Sequence, residues 1–290
     1  MIKRFIQKIG DMSIQQYATK TMSIPAKYTS YGLMLQFKKV DGSFMTAAEI
    51  QNEVDEIKVT LNDKVVGTID LVNTDARSLI DFDNWQKAAK SDYILTGLVP
   101  IDYLRERLPL LVAPESLAIG MLNMNNYILS VKFGNLVLTI DQLTVYNIID
   151  KLPARPVGEF CVFRKWQRTF GNTGIEIVDN LPYGEDNTGY LSYHVFDPEA
   201  VIDYATVEYD GVEVYQELTD NLNDYLSHVA GRTPQPQYFS MDFQRREKGL
   251  LSMQGVKSFR NKLSWNPAAG APSGYAIYTD MIHNLQAQNF

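Results

Sequence analysis

Apolar and polar positions alternate with a period of two over much of the chain. Ile57, Val59 and Leu61 alternate with Lys58, Thr60 and Asn62; Leu129, Val131 and Phe133 repeat the pattern, as do Leu136, Leu138 and Ile140. Successive side chains of a strand point to opposite faces, so each run predicts a half-buried β-strand. Asn62-Asp63 predicts a tight turn ahead of Val65. Val207 and Tyr209 lead into Asp210-Gly211, the strongest hairpin signal in the chain, with Val212 and Val214 after it. Helical spacing is confined to a few places. Residues 74–90 carry Leu79, Phe82 and Trp85 as a stripe behind Asp75 as cap, and residues 219–229 put Leu222, Tyr225, Leu226 and Val229 on one face. At the N-terminus Ile2, Phe5, Ile6, Ile9 and Met12 fall at helical intervals, with Lys3, Arg4, Gln7, Lys8 and Asp11 opposite. The pattern predicts an all-β chain with a few short helices.

The strands recur in order. Tyr31-Gly32-Leu33 and Thr188-Gly189-Tyr190 each open a strand, and residues 57–63 are echoed by residues 205–211. A helical segment follows each hairpin. Ile101-Asp102-Tyr103 then answers to Met241-Asp242-Phe243, and Leu143-Thr144-Val145-Tyr146 to Tyr275-Ala276-Ile277-Tyr278. The separation between matched residues shrinks steadily, as it would for two copies of one fold whose second copy has shorter loops. Each copy has the size of one β-sandwich, and its strand, hairpin, helix and further strands suit an eight-stranded jelly roll. The expected organisation is a basic N-terminal arm over residues 1–30, a first jelly roll over 31–150, a Pro-rich linker at 151–159 and a second jelly roll over 160–290.

Composition narrows the function classes. The chain has 290 residues, 45% of them hydrophobic and 21% charged, which excludes wholesale disorder. A net charge of −7 argues against a protein whose main work is gripping nucleic acid. The charge is sorted, however: Lys3, Arg4, Lys8, Lys20 and Lys27 face a single acid, Asp11, within the first thirty residues. An amphipathic basic helix there would dock on its own domain, lie on anionic lipid or clamp a neighbouring subunit. The longest apolar stretch, Leu108 to Pro114, is too short to cross a bilayer and is broken by prolines, and no signal-peptide core follows Lys3 and Arg4.

Catalytic signals are weak. His194, His228 and His283 show no metal-ligand spacing, and no phosphate loop or nucleophile elbow is present. Cys161 is the sole cysteine, which excludes an intrachain disulfide, and its apolar neighbours Phe160, Val162 and Phe163 suit a buried thiol. Asp81-Phe82-Asp83-Asn84 and Glu185-Asp186-Asn187 offer oxygens to calcium without EF-hand spacing; a helix stripe and a solvated turn explain them better. No cofactor is expected, with structural calcium reserved for a site whose ligands converge from different chains. Arg164-Lys165-Trp166-Gln167-Arg168 interleaves cations and aromatics, but strand alternation, with Arg164, Trp166 and Arg168 on one face, explains it at least as well as contact with single-stranded nucleic acid.

The second half carries a resemblance. Phe163-Arg164-Lys165-Trp166, the run Gly174-Ile175-Glu176-Ile177-Val178-Asp179-Asn180-Leu181-Pro182, the Gly189 strand, residues 207–211 with the helix after them, and Gly274-Tyr275-Ala276-Ile277-Tyr278 are similar to double jelly-roll major capsid proteins of tailless, membrane-containing icosahedral bacteriophages, in particular the corticovirus type. The resemblance implies a coat subunit that is no enzyme, made in the host cytoplasm and located in the virion capsid. It implies homotrimers with six lobes that tile an icosahedral shell beside penton and minor capsid proteins, over an internal lipid membrane. Lys3, Arg4, Phe5, Lys8, Arg164, Lys165 and Arg168 would then face the interior or the membrane. The competing expectation is a carbohydrate-active enzyme or lectin built from paired jelly rolls, similar to glycoamidases, with carboxylates converging in a cleft. A viral spike or minor capsid protein shares the fold class, but no stalk or fibre repeat is present.

Overall fold

The computed structural model describes residues 4–63, 67–86, 97–103, 117–122, 124–135, 140–150, 154–169, 174–182, 188–197, 202–246, 250–266 and 274–284. The chain divides into two compact units, Met1–Asn84 with Lys90–Arg164, and Trp85–Ala89 with Lys165–Phe290.

The first unit contains β1 (Arg4–Ser13), β2 (Thr19–Ser23), β3 (Thr29–Lys39), helix α1 (Ala47–Glu53), β4 (Val54–Asp63), β5 (Gly67–Thr74), helix α2 (Ala76–Gln86, whose last two residues group with the second unit), β6 (Leu98–Asp102), β7 (Met124–Phe133) and β8 (Ile140–Asp150). One sheet has the order β1-β8-β3-β6 and the other β5-β4-β7-β2, all antiparallel. The alternation read from the sequence is the burial observed: Ile57, Val59 and Leu61 on β4 and Leu129, Val131 and Phe133 on β7 turn their side chains into the core. Across the second unit run β9 (Glu159–Arg168, of which Lys165–Arg168 belong here), β10 (Ile175–Val178), β11 (Thr188–Phe196), β12 (Ile202–Tyr209), β13 (Val212–Thr219), helix α3 (Asp220–Val229), β14 (Tyr238–Asp242), the single turn α4 (Phe243–Arg246), β15 (Leu251–Ser252), β16 (Phe259–Trp265) and β17 (Tyr275–Asn284). Its sheets have the orders β9-β17-β11-β14 and β10-β16-β12-β13. Tyr190, Tyr193, Phe239, Met241, Phe259, Leu263 and Trp265 form its core.

Set side by side, the two units have the same pairings strand for strand, with β1 to β8 answering to β9 to β14, β16 and β17. Two tandem eight-stranded jelly rolls with a few short helices are therefore both expected and found. The match extends to a defect. On β3, Ser30 pairs with Ile149 and Gly32 with Ile148, so Tyr31 bulges; on β11, Tyr190 pairs with Met281 and Ser192 with Asp280, so Leu191 bulges. Gly32 faces Asp102 as Ser192 faces Asp242. The counterpart of Gly32 is thus Ser192 and not the expected Gly189. Shared residue type points to Gly189, whereas the ladder register and the bulge fix Ser192.

Other expectations need correction. Residues 4–13 form a strand and not an amphipathic helix: β1 pairs with β8 from Arg4↔Asp150 to Ser13↔Gln142, and β2 pairs with β7. The ladder satisfies backbone groups along the whole segment, which outweighs the helical spacing of its few apolar residues. Residues 4–30 are accordingly built into the first jelly roll. The segment at 154–159 has linker composition but is packed: Leu122 N donates to Arg155 O at 3.0 Å, Arg155 Nη2 donates to Ala118 O at 3.2 Å, and Val157 is buried. The boundary between units consequently falls at Arg164/Lys165, inside β9. Asn62 and Asp63 lie in β4 and not in the expected turn, and residues 64–66, like residues 185–187, lie outside the described residues. At Asp210-Gly211 the expected hairpin turn is present, with φ of 48° and 80°, the paired positive angles of a type I′ turn. Helix α1 went unread, although Thr46 and Glu49 form a capping box that announces it.

Candidate functional site

The chemistry-bearing side chains fall on three surfaces. The first is β1, an edge strand. Ile6 is 73% exposed and Phe5 is part exposed, with Arg4 placed 5.0 Å from the Tyr31 ring centroid. Lys8 binds Asp11 at 2.8 Å, and Asp11 also accepts from Thr144 Oγ1 at 2.6 Å. Those two hydrogen bonds hold the Asp11 carboxyl below the usual carboxylate range. Lys3 lies outside the described residues.

The second surface is β9. Arg164 pairs in register with Asn73 of β5, next to the Phe163↔Val72 pair, and the two strands run parallel. In the second unit Lys165 lies over the Tyr278 ring at 5.9 Å, Trp166 Nε1 donates to Thr279 Oγ1 at 3.1 Å, and Arg168 Nη2 donates to Asn180 Oδ1. Lys165 and Arg168 are thus engaged by a neighbouring ring and amide. The structure brings Arg4, Phe5 and Lys8 together on one strand and Lys165 with Arg168 on another.

The third surface, on α3, was not foreseen. Asp220 in its first turn and His228 in its last suit the helix dipole. The face turned inward is small and polar: Asn223 and Ser227 are buried, and Ser227 Oγ lies 3.5 Å from Ser240 O. Leu222, Tyr225 and Val229 are instead 48%, 63% and 64% exposed, and only Leu226 reaches the core. Alongside opens a cavity of about 430 Å³ lined by Asp197, Asp220, Asp224 and the Pro234–Tyr238 stretch. Burial and the neighbouring Asp220 push the Asp224 carboxyl up to about 6, and burial and Asp197 raise Asp220.

The buried polar groups make structure. Arg232 Nε donates to Asp242 Oδ2 at 2.7 Å and its Nη2 to Gln244 Oε1 at 3.1 Å, while Trp85 covers the guanidinium at 4.5 Å. His194 lies between Ser192 Oγ and Ser240 Oγ, 2.8 Å from each, and edge-on to Trp85. Burial, with Arg232 nearby, lowers its pKa to about 3, which makes the imidazole too weak a base to take up a proton near neutral pH. Cys161 is buried, and among the described residues no group of three or more His, Cys, Asp or Glu side chains is placed to hold a metal ion. Asp81 and Asp83 lie on α2, where Asp81 accepts from Gln51 at 3.2 Å.

Residues 163–284 match the family model of the viral coat protein P2 C-terminal domain. Solved structures extend the likeness to the whole chain. The major capsid protein P2 of bacteriophage PM2 superposes with a TM-score of 0.79 at 14% identity, over 99% of this chain and 100% of that one. This chain has the double jelly-roll fold of viral major capsid proteins. The major capsid protein of Sulfolobus turreted icosahedral virus gives 0.68 at 11% identity over 99% of both chains, and the PBCV-1 virus capsid 0.65 at 10% identity over 97% of this chain and 94% of that one. No curated protein matches by sequence. Residues 163–182 and the strands after them, read from the sequence as similar to coat proteins, lie within the stretch that matches that family model.

Proposed function

We propose that the chain is the major capsid subunit of a tailless icosahedral virus and works by packing, with no catalytic step. The observation that carries the proposal is the duplication, bulge included, of an eight-stranded jelly roll within one chain whose second half matches a coat-protein family. A subunit with two similar lobes needs only three copies about a threefold axis to present six, and six-lobed tiles cover a facet. Adjoining partners would be further trimers and the penton and minor capsid proteins at the vertices, with synthesis in the host cytoplasm. Arg4, Phe5 and Lys8, which form a strand and not a helix, would face the capsid interior or its internal membrane, as would Arg164, Lys165 and Arg168. Light scattering tests the proposal: purified protein should have three times the 32.9 kDa chain mass and add to facets or shells visible by electron microscopy. A monomer at all concentrations that cleaves or binds glycans would overturn it.

A further inference from the structure

The sheet β10-β16-β12-β13 has one edge whose hydrophobic pattern is inverted. On β10, Ile175 and Ile177 are 60% and 55% exposed, whereas Glu176 and Val178 turn inward. Glu176 Oε1 accepts from Tyr275 Oη at 2.7 Å, but its buried Oε2 has no partner. Under the same strand Asn261, which pairs with Val178, is fully buried with neither amide atom hydrogen-bonded. A strand with one face in water carries its polar side chains on that face. A slip of one residue against β16 would put both isoleucines inside and the glutamate outside. The register found does the reverse, leaving polar groups unsatisfied in the interior and an apolar pair on the surface. Such an outer face suits contact with protein better than contact with water.

The backbone points to the occupant. Trp265 N donates to Gly174 O at 3.0 Å, where the ladder that pairs Ile175 with Ser264, Glu176 with Leu263 and Ile177 with Lys262 begins. Backbone groups along an antiparallel strand alternate in direction, so those of Glu176 and Val178 face β16 and those of Ile175 and Ile177 face away from it. Among the described residues β16 is the only strand that pairs with β10. Two outward-facing residues separated by one make a self-complementary edge. Turned about a twofold axis at Glu176, Ile175 meets a second copy's Ile177, and Ile177 meets that copy's Ile175. The pairing forms roughly four backbone hydrogen bonds and sets the isoleucines of both copies side by side on one face. Size narrows the choice further. An edge of 4 residues buries far less than the roughly 1,200 Å² of a stable free complex. Its occupant is therefore one that other contacts already hold close, as neighbouring subunits of one shell are and a diffusing partner is not.

We propose that the β10 edge, Ile175-Glu176-Ile177, is a docking site for the same edge of a second copy of this chain, the two sheets joining antiparallel about a twofold axis. The inference rests on the self-assembling subunit proposed above. A contact between identical surfaces is isologous and joins two chains only, so it links one trimer to the next and does not close the trimer itself.

The test uses the full chain. Ile175→Cys treated with a short bis-maleimide should give covalent dimers and nothing larger on a denaturing gel. The wild type, whose Cys161 is buried, should give none, and neither should Val212→Cys, exposed on the opposite edge strand β13. Adding Ile177→Pro to the Ile175→Cys variant removes an N–H that faces away from β16, a position where an edge strand tolerates proline. The fold should survive, as far-UV circular dichroism checks, while the dimer yield falls at least about 10-fold. Ile177→Asp, a charge at an exposed position, should lower the yield likewise without touching the backbone. Trimer-sized protein whose Ile175→Cys variant gives no dimer, gives no more than Val212→Cys, or gives one that both substitutions at Ile177 leave unchanged overturns this contact and leaves the trimer standing. Dimers that those substitutions abolish, in protein that is otherwise a single chain, support the contact and overturn the trimer.

Discussion

Asp242 is where one atom's worth of chemistry should matter most to the second jelly roll. It is fully buried, its Oδ2 lies 2.7 Å from Nε of the equally buried Arg232, and its Oδ1 accepts from Gln244 N at 3.0 Å. Asp242→Asn keeps shape and volume but removes the counter-charge, leaving the Arg232 guanidinium with Gln244 Oε1 and the Trp85 face. Removing one partner of a buried pair strands a charge in a medium that solvates it poorly, which costs about 3–5 kcal/mol. For a unit of this size that lowers the melting temperature by roughly 10–20 °C. Urea and thermal unfolding followed by circular dichroism give the number. The sharper comparison is Arg232→Met/Asp242→Leu, in which no charge is left: most of the loss should return, because apolar side chains of similar volume replace a buried pair at little cost. A loss under about 1 kcal/mol in Asp242→Asn, or a double variant as unstable as the single one, would refute the reasoning.

Three further outcomes follow from the same geometry. His194 has its folded pKa lowered to about 3, below the unfolded value near 6.5, so the unfolded chain binds the extra proton between those values and stability falls as pH drops, by about 1.4 kcal/mol per unit below 6.5. Denaturation midpoints from pH 7 to pH 4 check this, and His194→Gln should flatten that part of the profile. Asp224 has the opposite sign: its folded pKa of about 6 lies above 3.8, so its contribution is present at low pH and is lost as pH rises through 6. Asp224→Asn should exceed wild-type stability at pH 8, by under about 1 kcal/mol because solvent screens a half-buried group, and match it at pH 3; equal midpoints at both would contradict the assignment. Gly32→Ala should destabilise the first jelly roll by about 1–3 kcal/mol, since a Cβ there would come within 2.6 Å of Ile101 O, whereas Ser192→Ala at the equivalent position should lose only its bond to His194.

Strands β4 and β7, the β12–β13 hairpin and the duplication were legible along the chain, because period-two alternation and the Asp210-Gly211 turn are local signals that burial on one face enforces. The sequence also located α2, where Asp75 Oδ1 accepts from Ser78 N at 2.7 Å as its capping position requires. The rest depends on partners distant in the chain. The ladder with β8 made a strand of the N-terminal segment despite its helical spacing. Register and a repeated bulge make Ser192 the counterpart of Gly32, where residue identity pointed to Gly189. The stripe on α3 was legible, but its direction was not: periodicity shows that one face of a helix is apolar, and only the packing of Asn223 and Ser227 inward shows that this face looks outward. The pairing of Arg232 with Asp242 was equally silent, since the buried carboxylate that holds the cation becomes its neighbour only when β14 takes its place in the sheet.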